Sequence, residues 1–317
     1  MIDDGGRDML QTVHQPVADR MARAEVPRLL MCAPEHFAVH YSINPWMDPA
    51  AWAAAAVRDG GAAQAKARRQ WSALHAALTA AGAAIETVPP VQGLPDLVFT
   101  ANAAVVLNGT ALLARFRHPE RQGEEPVFAA AFEGLRTRGL LSRVVALPDD
   151  VVLEGAGDCL FDPARDLFWM GHGPRSDPRA AEAVAATFGV SVVPLQLVDP
   201  RFYHLDTALC PLPTGDLIYY PGAFSEAGRA AIEAQVPARQ RIALGEDDAV
   251  QFAANAVCVG GTVVMSRCSA ALRAELAARG YAVVETLLDT FLQSGGSAAC
   301  LTLRLDRHAA VSTALAG

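Results

Sequence analysis

Basic residues are in the minority in this chain of 317. Lys and Arg total 26 against 34 Asp and Glu, a formal charge of −8. A chain short of positive charge offers no broad surface for a phosphate backbone, so no nucleic-acid partner is expected. Nowhere do eighteen apolar residues run together, so no transmembrane helix and no membrane role are expected. The opening stretch, MIDDGGRDMLQTVHQPVADR, has neither the basic start nor the apolar run of a secretory signal. Cysteine is sparse, with six residues and no C-x-x-C pair. That excludes a disulfide scaffold and makes a reducing cytoplasm with free thiols the expected compartment. Charge itself is limited to 19% of residues while 52% are hydrophobic, which suits an ordered chain with a large core.

Several signatures of chemistry are missing too. No G-x-x-x-x-G-K-[ST] cradles a phosphate, and GHGPRSD at 171–177 is not a dinucleotide-binding fingerprint. There is no H-E-x-x-H for zinc and no G-x-S-x-G nucleophile elbow. No metal and no cofactor are therefore expected.

What is present is a repeat of element types. AAVVLNGTALLARF (103–116) sets two apolar runs around Asn-Gly, a strong hairpin signal. GDCLFDPARDLFWMG (157–171), TALCPLPTGDLIYYPG (207–222) and NAVCVGGTVVMSRC (255–268) repeat the form about every fifty residues. Helical stretches follow at 126–138, 178–188, 225–235 and 269–279. Short apolar strands come next: SRVVALP, VSVVPLQ, RQRIALG and YAVVETL. The unit is hairpin, helix, strand. A fifth copy can be closed by the two chain ends, LLMCAP (29–34) and CLTLRLD (300–306), with a helix over 63–81 and a strand at 83–89. The Ala-rich stretch 50–82 reads as two helices broken at Gly60-Gly61. The pattern predicts a partly irregular N-terminal extension, 1–27, and one α/β domain over 28–317. Two stacked domains are the alternative.

Polar residues cluster where each hairpin begins. PDLVFTANAA carries Asp96 and Asn102, and VVLEGAGDCLF carries Glu154 and Asp158. VDPRFYHLDTALC carries His204 and Asp206, and GEDDAVQFAANAVC carries Asp247, Asp248 and Asn255. DTFLQSGGSAACLTL carries Cys300 after the Gly295-Gly296-Ser297 turn. In a closed ring, equivalent positions converge on the axis. Taken singly, Cys300 is a core thiol, His204 a structural histidine, and Glu154 and Asp158 turn caps. Taken together, Cys, His and acid form the nucleophile, base and orienter of covalent catalysis.

These segments, in this order, resemble the guanidino-group-modifying enzymes, the amidinotransferase or pentein superfamily. MCAPEHFAVHYSINPWMDP (31–49) resembles the same group, and the likeness runs from about residue 28 to 306. It implies a five-bladed α/β propeller of ββαβ units. It implies a catalytic set of Cys300 as nucleophile, His204 as acid/base and Glu154 as carboxylate. For the substrate it implies Asp158 as guanidinium clamp, with Arg121 (in RHPERQGE) and Arg175 (in GPRSD) on the amino-acid carboxylate. Asp96, Asn102, Asp206 and Ser297 complete the expected substrate site. Many deiminating members carry aspartate where this chain has Asn102, a position at which the cyanobacterial arginine dihydrolases resemble it. The likeness thus implies hydrolysis of arginine to ornithine, ammonia and CO2. Dimethylargininase and amidinotransferase activity stay open. A binding protein without chemistry would not need Cys, His and two acids together. The expected ligand is a small cationic amino acid, and self-association into a homo-oligomer is left open.

Overall fold

The computed structural model describes residues 26–309, so the expected extension 1–27 lies outside the described residues except for Val26 and Pro27, as do 310–317. The chain starts with a blade it cannot finish. Strand β1 (Arg28–Cys32) pairs in parallel with β2 (Ala84–Val88). Helices α1 (Pro49–Asp59) and α2 (Ala62–Ala80) connect them. Asp48 caps α1, and Gly60 and Gly61 at positive φ break the Ala-rich run where expected.

Four complete units follow. The first is β3 (Ala104–Leu107), β4 (Thr110–Leu113), α3 (Glu125–Thr137) and β5 (Arg143–Val145). The second is β6 (Cys159–Asp162), β7 (Leu167–His172), α4 (Ala180–Phe188) and β8 (Ser191–Gln196). The third is β9 (Leu209–Pro211), β10 (Leu217–Tyr219), α5 (Glu226–Gln235) and β11 (Arg241–Ala243). The fourth is β12 (Val257–Val259), β13 (Thr262–Met265), α6 (Ala270–Ala278) and β14 (Ala282–Glu285). In each, the first two strands are antiparallel and the third runs parallel to the middle one. The chain then returns as β15 (Leu303–Arg304), antiparallel to β1, and completes the fifth blade. The Asn108-Gly109 turn has φ of 50° and 69°, the left-handed pair that a two-residue hairpin needs.

Side chains alternate across a strand, so each blade presents two apolar faces. Leu30 and Cys32 pack with Ala104 and Val106, between the fifth blade and the first. Val105 and Leu107 turn the other way, onto Phe168 and Met170 of the second. Leu167 and Trp169 meet Leu209 and Leu217 of the third. Cys210 and Ile218 meet Val263 and Met265 of the fourth. Val259 and Val264 pack on Leu29 and Met31, which closes the ring. The fold is a five-bladed α/β propeller. No helix among the described residues is long and apolar enough to cross a membrane.

Candidate active site

Short helical turns lead into the first strands of the blades. Thr100–Ala103 precedes β3, Gly155–Gly157 precedes β6, and Leu205–Thr207 precedes β9. These turns abut one another around the axis. Their polar side chains therefore meet at one end of the ring, buried.

Cys300 Sγ is 3.1 Å from Asp206 Oδ2 and 3.0 Å from Asn255 Nδ2. The Asn255 amide oxygen accepts the Cys300 backbone N–H at 3.2 Å. Burial, and then the Asp206 charge, push the thiol well above its ordinary range. Burial pushes the Asp206 carboxyl up to about 6, against the opposing pull of His204 and the thiol hydrogen bond.

His204 lies between two carboxylates. Its Nε2 is 3.2 Å from Glu154 Oε2 and its Nδ1 is 3.2 Å from Asp158 Oδ2. Both contacts are ion pairs of the charged imidazole. Burial alone would lower this imidazole, but the two carboxylates outweigh it and raise it to about 9. Glu154 also meets Arg175 Nη1 at 2.9 Å and accepts the Arg117 backbone N–H at 3.1 Å. Burial opposes the charged form of Glu154, yet the Arg175 guanidinium and His204 hold it well below the carboxylate range.

Asn102 and Arg121 form a second buried set. Arg121 forks onto Glu124 at 2.9 and 2.8 Å and donates to Asn102 Oδ1 at 2.9 Å. Burial pushes Glu124 up to about 7, a rise that Arg121 restrains. Asp96 is buried, with Oδ2 accepting from Tyr41 at 2.9 Å and Oδ1 without a partner.

A narrow pocket of about 10 Å³ is lined by Asp96, Asn102, Arg121, Arg175, His204 and Cys300, together with Ile43, Asn44, Phe99, Tyr203, Ser294 and Gly296. Six of the ten expected residues thus share one pocket. Glu154 and Asp158 stand behind His204 instead. Asp158, expected as a guanidinium clamp, has Oδ2 bonded to Ser176 at 2.6 Å and Oδ1 to the Leu205 N–H at 3.0 Å. Asp206 lies behind Cys300. Ser297 is buried with its hydroxyl unpartnered and is absent from the pocket wall, where Ser294 stands. Asp247 and Asp248 lie away from the site on the one-turn helix Glu246–Ala249, where Asp248 caps Ser269. Glu124 and Ser176 join the site without a sequence signal of their own. Asn255 does have one, since it stands where Cys300 stands in the repeat.

A family model for eukaryotic N,N dimethylarginine dimethylhydrolase matches residues 43–307. The chain belongs to the dimethylarginine dimethylaminohydrolase family. Within that family it resembles the bifunctional arginine dihydrolase/ornithine cyclodeaminase ArgZ of Synechocystis sp. at 44% identity, over 90% of this chain and 39% of ArgZ. AgrE of Nostoc sp., also a bifunctional arginine dihydrolase/ornithine cyclodeaminase, is 45% identical over 88% of this chain and 38% of its own. The chain therefore spans about two fifths of the length of these two relatives. The N(G),N(G)-dimethylarginine dimethylaminohydrolase of Mycobacterium tuberculosis is 40% identical, over 88% of this chain and 85% of its own. Among solved structures, the N-terminal domain of cyanobacterial ArgZ bound to substrate superposes with a TM-score of 0.81 at 42% identity, covering 89% of this chain and 99% of that one.

Proposed function

We propose that this family member hydrolyses the guanidino group of L-arginine through a covalent adduct on Cys300 and carries the reaction on to ornithine. The observation that supports it is the meeting of Cys300, His204 and the half-unpaired Asp96 carboxylate in the wall of one narrow pocket. A cationic N–H group would satisfy the orphan Asp96 oxygen. Arg121 and Arg175, also in the wall, are the cations for the substrate carboxylate. ArgZ is described as an arginine dihydrolase, and its N-terminal domain, which this chain covers almost completely, has been solved with substrate and with product.

In this reading the resting thiol is protonated, because its surroundings are buried and acidic. An incoming guanidinium adds positive charge beside it and favours the thiolate, with the proton passing to Asp206. The sulfur attacks the guanidinium carbon. His204, charged at neutral pH, protonates the departing nitrogen and ammonia leaves. Neutral His204 then takes a proton from water, which adds to the thiouronium carbon, and the C–S bond breaks to give citrulline. A second hydrolysis at the same carbon releases another ammonia, CO2 and ornithine. Two waters are consumed. Asn102 offers an uncharged amide to the neutral ureido group of citrulline, which a carboxylate would serve less well. As it stands the pocket has room for about one water. Entry of arginine therefore requires the lining side chains to move apart. Six unpaired thiols suit a reducing cytoplasm.

Dimethylargininase is the second reading, favoured by the family model and by the mycobacterial relative. Product analysis decides between them. The enzyme is incubated with arginine, citrulline or dimethylarginine, and ornithine, citrulline, ammonia and dimethylamine are measured. Ornithine from arginine is the expected result. Citrulline that accumulates without ornithine overturns the dihydrolase reading, and a Cys300→Ser protein with most of its activity overturns the covalent route.

A further inference from the structure

Asn255 immediately precedes Ala256 and β12, after the left-handed residue Phe252 (φ 56°), and is fully buried. Its amide has no freedom of orientation. Oδ1 faces the Cys300 backbone N–H at 3.2 Å, which can only donate. Nδ2 faces the Asp206 backbone carbonyl at 3.0 Å, which can only accept. Flipping the amide would set donor against donor and acceptor against acceptor, so its orientation follows from chemistry. One N–H of Nδ2 serves the carbonyl, and the other is left for Cys300 Sγ at 3.0 Å.

This fixes what the sulfur can do. One of its two polar side-chain contacts is an obligate donor. The other, Asp206 Oδ2 at 3.1 Å, accepts. The thiol hydrogen is therefore directed to Asp206 and a sulfur lone pair toward Asn255. When the proton leaves, the Asn255 N–H becomes a charge-assisted bond to the thiolate. We propose that Asn255 is a catalytic residue whose N–H stabilises the Cys300 thiolate and sends its proton to Asp206. The proposal rests on reading Cys300 as the nucleophile. It adds a donor that neither His204 nor the two carboxylates behind it supplies. The titratable and charged groups around the sulfur are Asp206 beside it and Asp96, Arg121, Arg175, Tyr203 and His204 in the same pocket wall, and all of them stay in place in the variants below.

The test reads the thiolate fraction without any substrate. The full chain is alkylated with iodoacetamide at fixed pH values between about 7 and 9, below the thiol midpoint, where the rate follows the thiolate fraction, and carbamidomethylation of Cys300 is followed by peptide mass spectrometry. The rates at Cys210 and Cys258 serve as internal references. Asn255→Ala is expected to lower the Cys300 rate about tenfold, the equivalent of about one unit in the thiol midpoint. It should also lower kcat, with KM little changed, by roughly 10- to 100-fold. Asn255→Asp keeps the shape but replaces the donor by an acceptor, and should lower the rate further. Asn255→Ser, whose hydroxyl can donate, should recover part of the loss. A Cys300 rate in Ala and Asp equal to that of the wild type, at retained melting temperature, overturns the proposal. Should Ala fail to fold, the order of Asp and Ser against wild type decides. Wild type inert toward arginine would sink the functional reading, while the alkylation series would still judge Asn255.

Discussion

Asn102 Oδ1 accepts from Arg121 Nη1 at 2.9 Å, and that single contact orients the carboxamide. A guanidinium can only donate, so the oxygen must face Arg121 and the Nδ2 must face the other way. There it meets the Glu154 carbonyl at 3.1 Å and His204 Nε2 at 3.5 Å. Replacement of Asn102 by Asp would keep the Arg121 bond and set a carboxylate oxygen against that carbonyl. A destabilisation of about 1–3 kcal/mol is expected from the unmatched acceptors. On arginine, Asn102→Asp should still deiminate but stall at citrulline, so the ornithine-to-citrulline ratio falls. An unchanged ratio would remove Asn102 from product control.

Gly157 is required by space rather than by backbone angle. A Cβ there would lie 2.1 Å from Asn102 Nδ2 and 3.3 Å from His204 Nδ1. Neither neighbour is a loose chain end, since the amide is held by Arg121 and the imidazole by Glu154. Gly157→Ala should cost about 1–3 kcal/mol of stability from overpacking. Its effect on turnover should be larger, roughly 100-fold, because the displaced groups are the ones that must be aligned. Circular dichroism melting and kcat on the same preparation check both halves. A variant with normal kcat would show that the contact relaxes without cost.

His204 ties stability to pH. Its folded-state value is about 9 against an ordinary 6.5, held up by Asp158 and Glu154 against the effect of burial. A raised base binds its proton more tightly when folded. Its contribution is therefore fully present below pH 6.5 and is lost as pH rises through about 9. The melting temperature should fall across that window in the wild type. In His204→Asn that part of the slope should vanish. Activity should lose its general acid on the same alkaline limb. Parallel slopes in the two proteins would mean that another group carries the linkage.

The propeller was legible because its signals are local. Alternating apolar residues, the Asn-Gly turn and the Gly60-Gly61 break each act within a few positions, and the structure keeps all of them. The convergence of Cys300, His204 and Asn102 followed from the repeat. Partner choice did not. Whether Asp158 meets a ligand or Ser176 and the Leu205 N–H depends on a neighbouring loop brought in by tertiary packing. Glu124 lies three residues after Arg121 in PERQGEE, with no motif to mark it, and is fully buried in its fork with Arg121. Asp247 and Asp248 carry the same residue type as Asp206 and point elsewhere, because a one-turn helix begins at Glu246 and takes them out of the axis.

The nucleophile lies on the segment that closes the ring, and this couples closure to chemistry. Cys300 lies three residues before the start of β15, and its carbonyl accepts the Ala101 N–H at 3.2 Å. Beside the β1–β15 ladder and the core under Leu29 and Met31, β15 is held by Leu305 N–H to the Arg28 carbonyl at 2.9 Å, Arg28 N–H to Asp306 at 2.8 Å, and Leu303 packed beside Leu30 in the core shared by the fifth and first blades. Leu303→Ala should cost about 2–5 kcal/mol. Leu276→Ala, in the core between the third and fourth blades, should cost a similar amount. The two should differ in what opens first. Loosening β15 frees the Cys300 segment locally, so Leu303→Ala should lose kcat well below its melting temperature and speed amide exchange at Ala101. Leu276→Ala should keep kcat until it melts. Equal kcat losses in the two variants at matched stability would show that the ring opens as one cooperative unit and that closure gives the nucleophile no separate support.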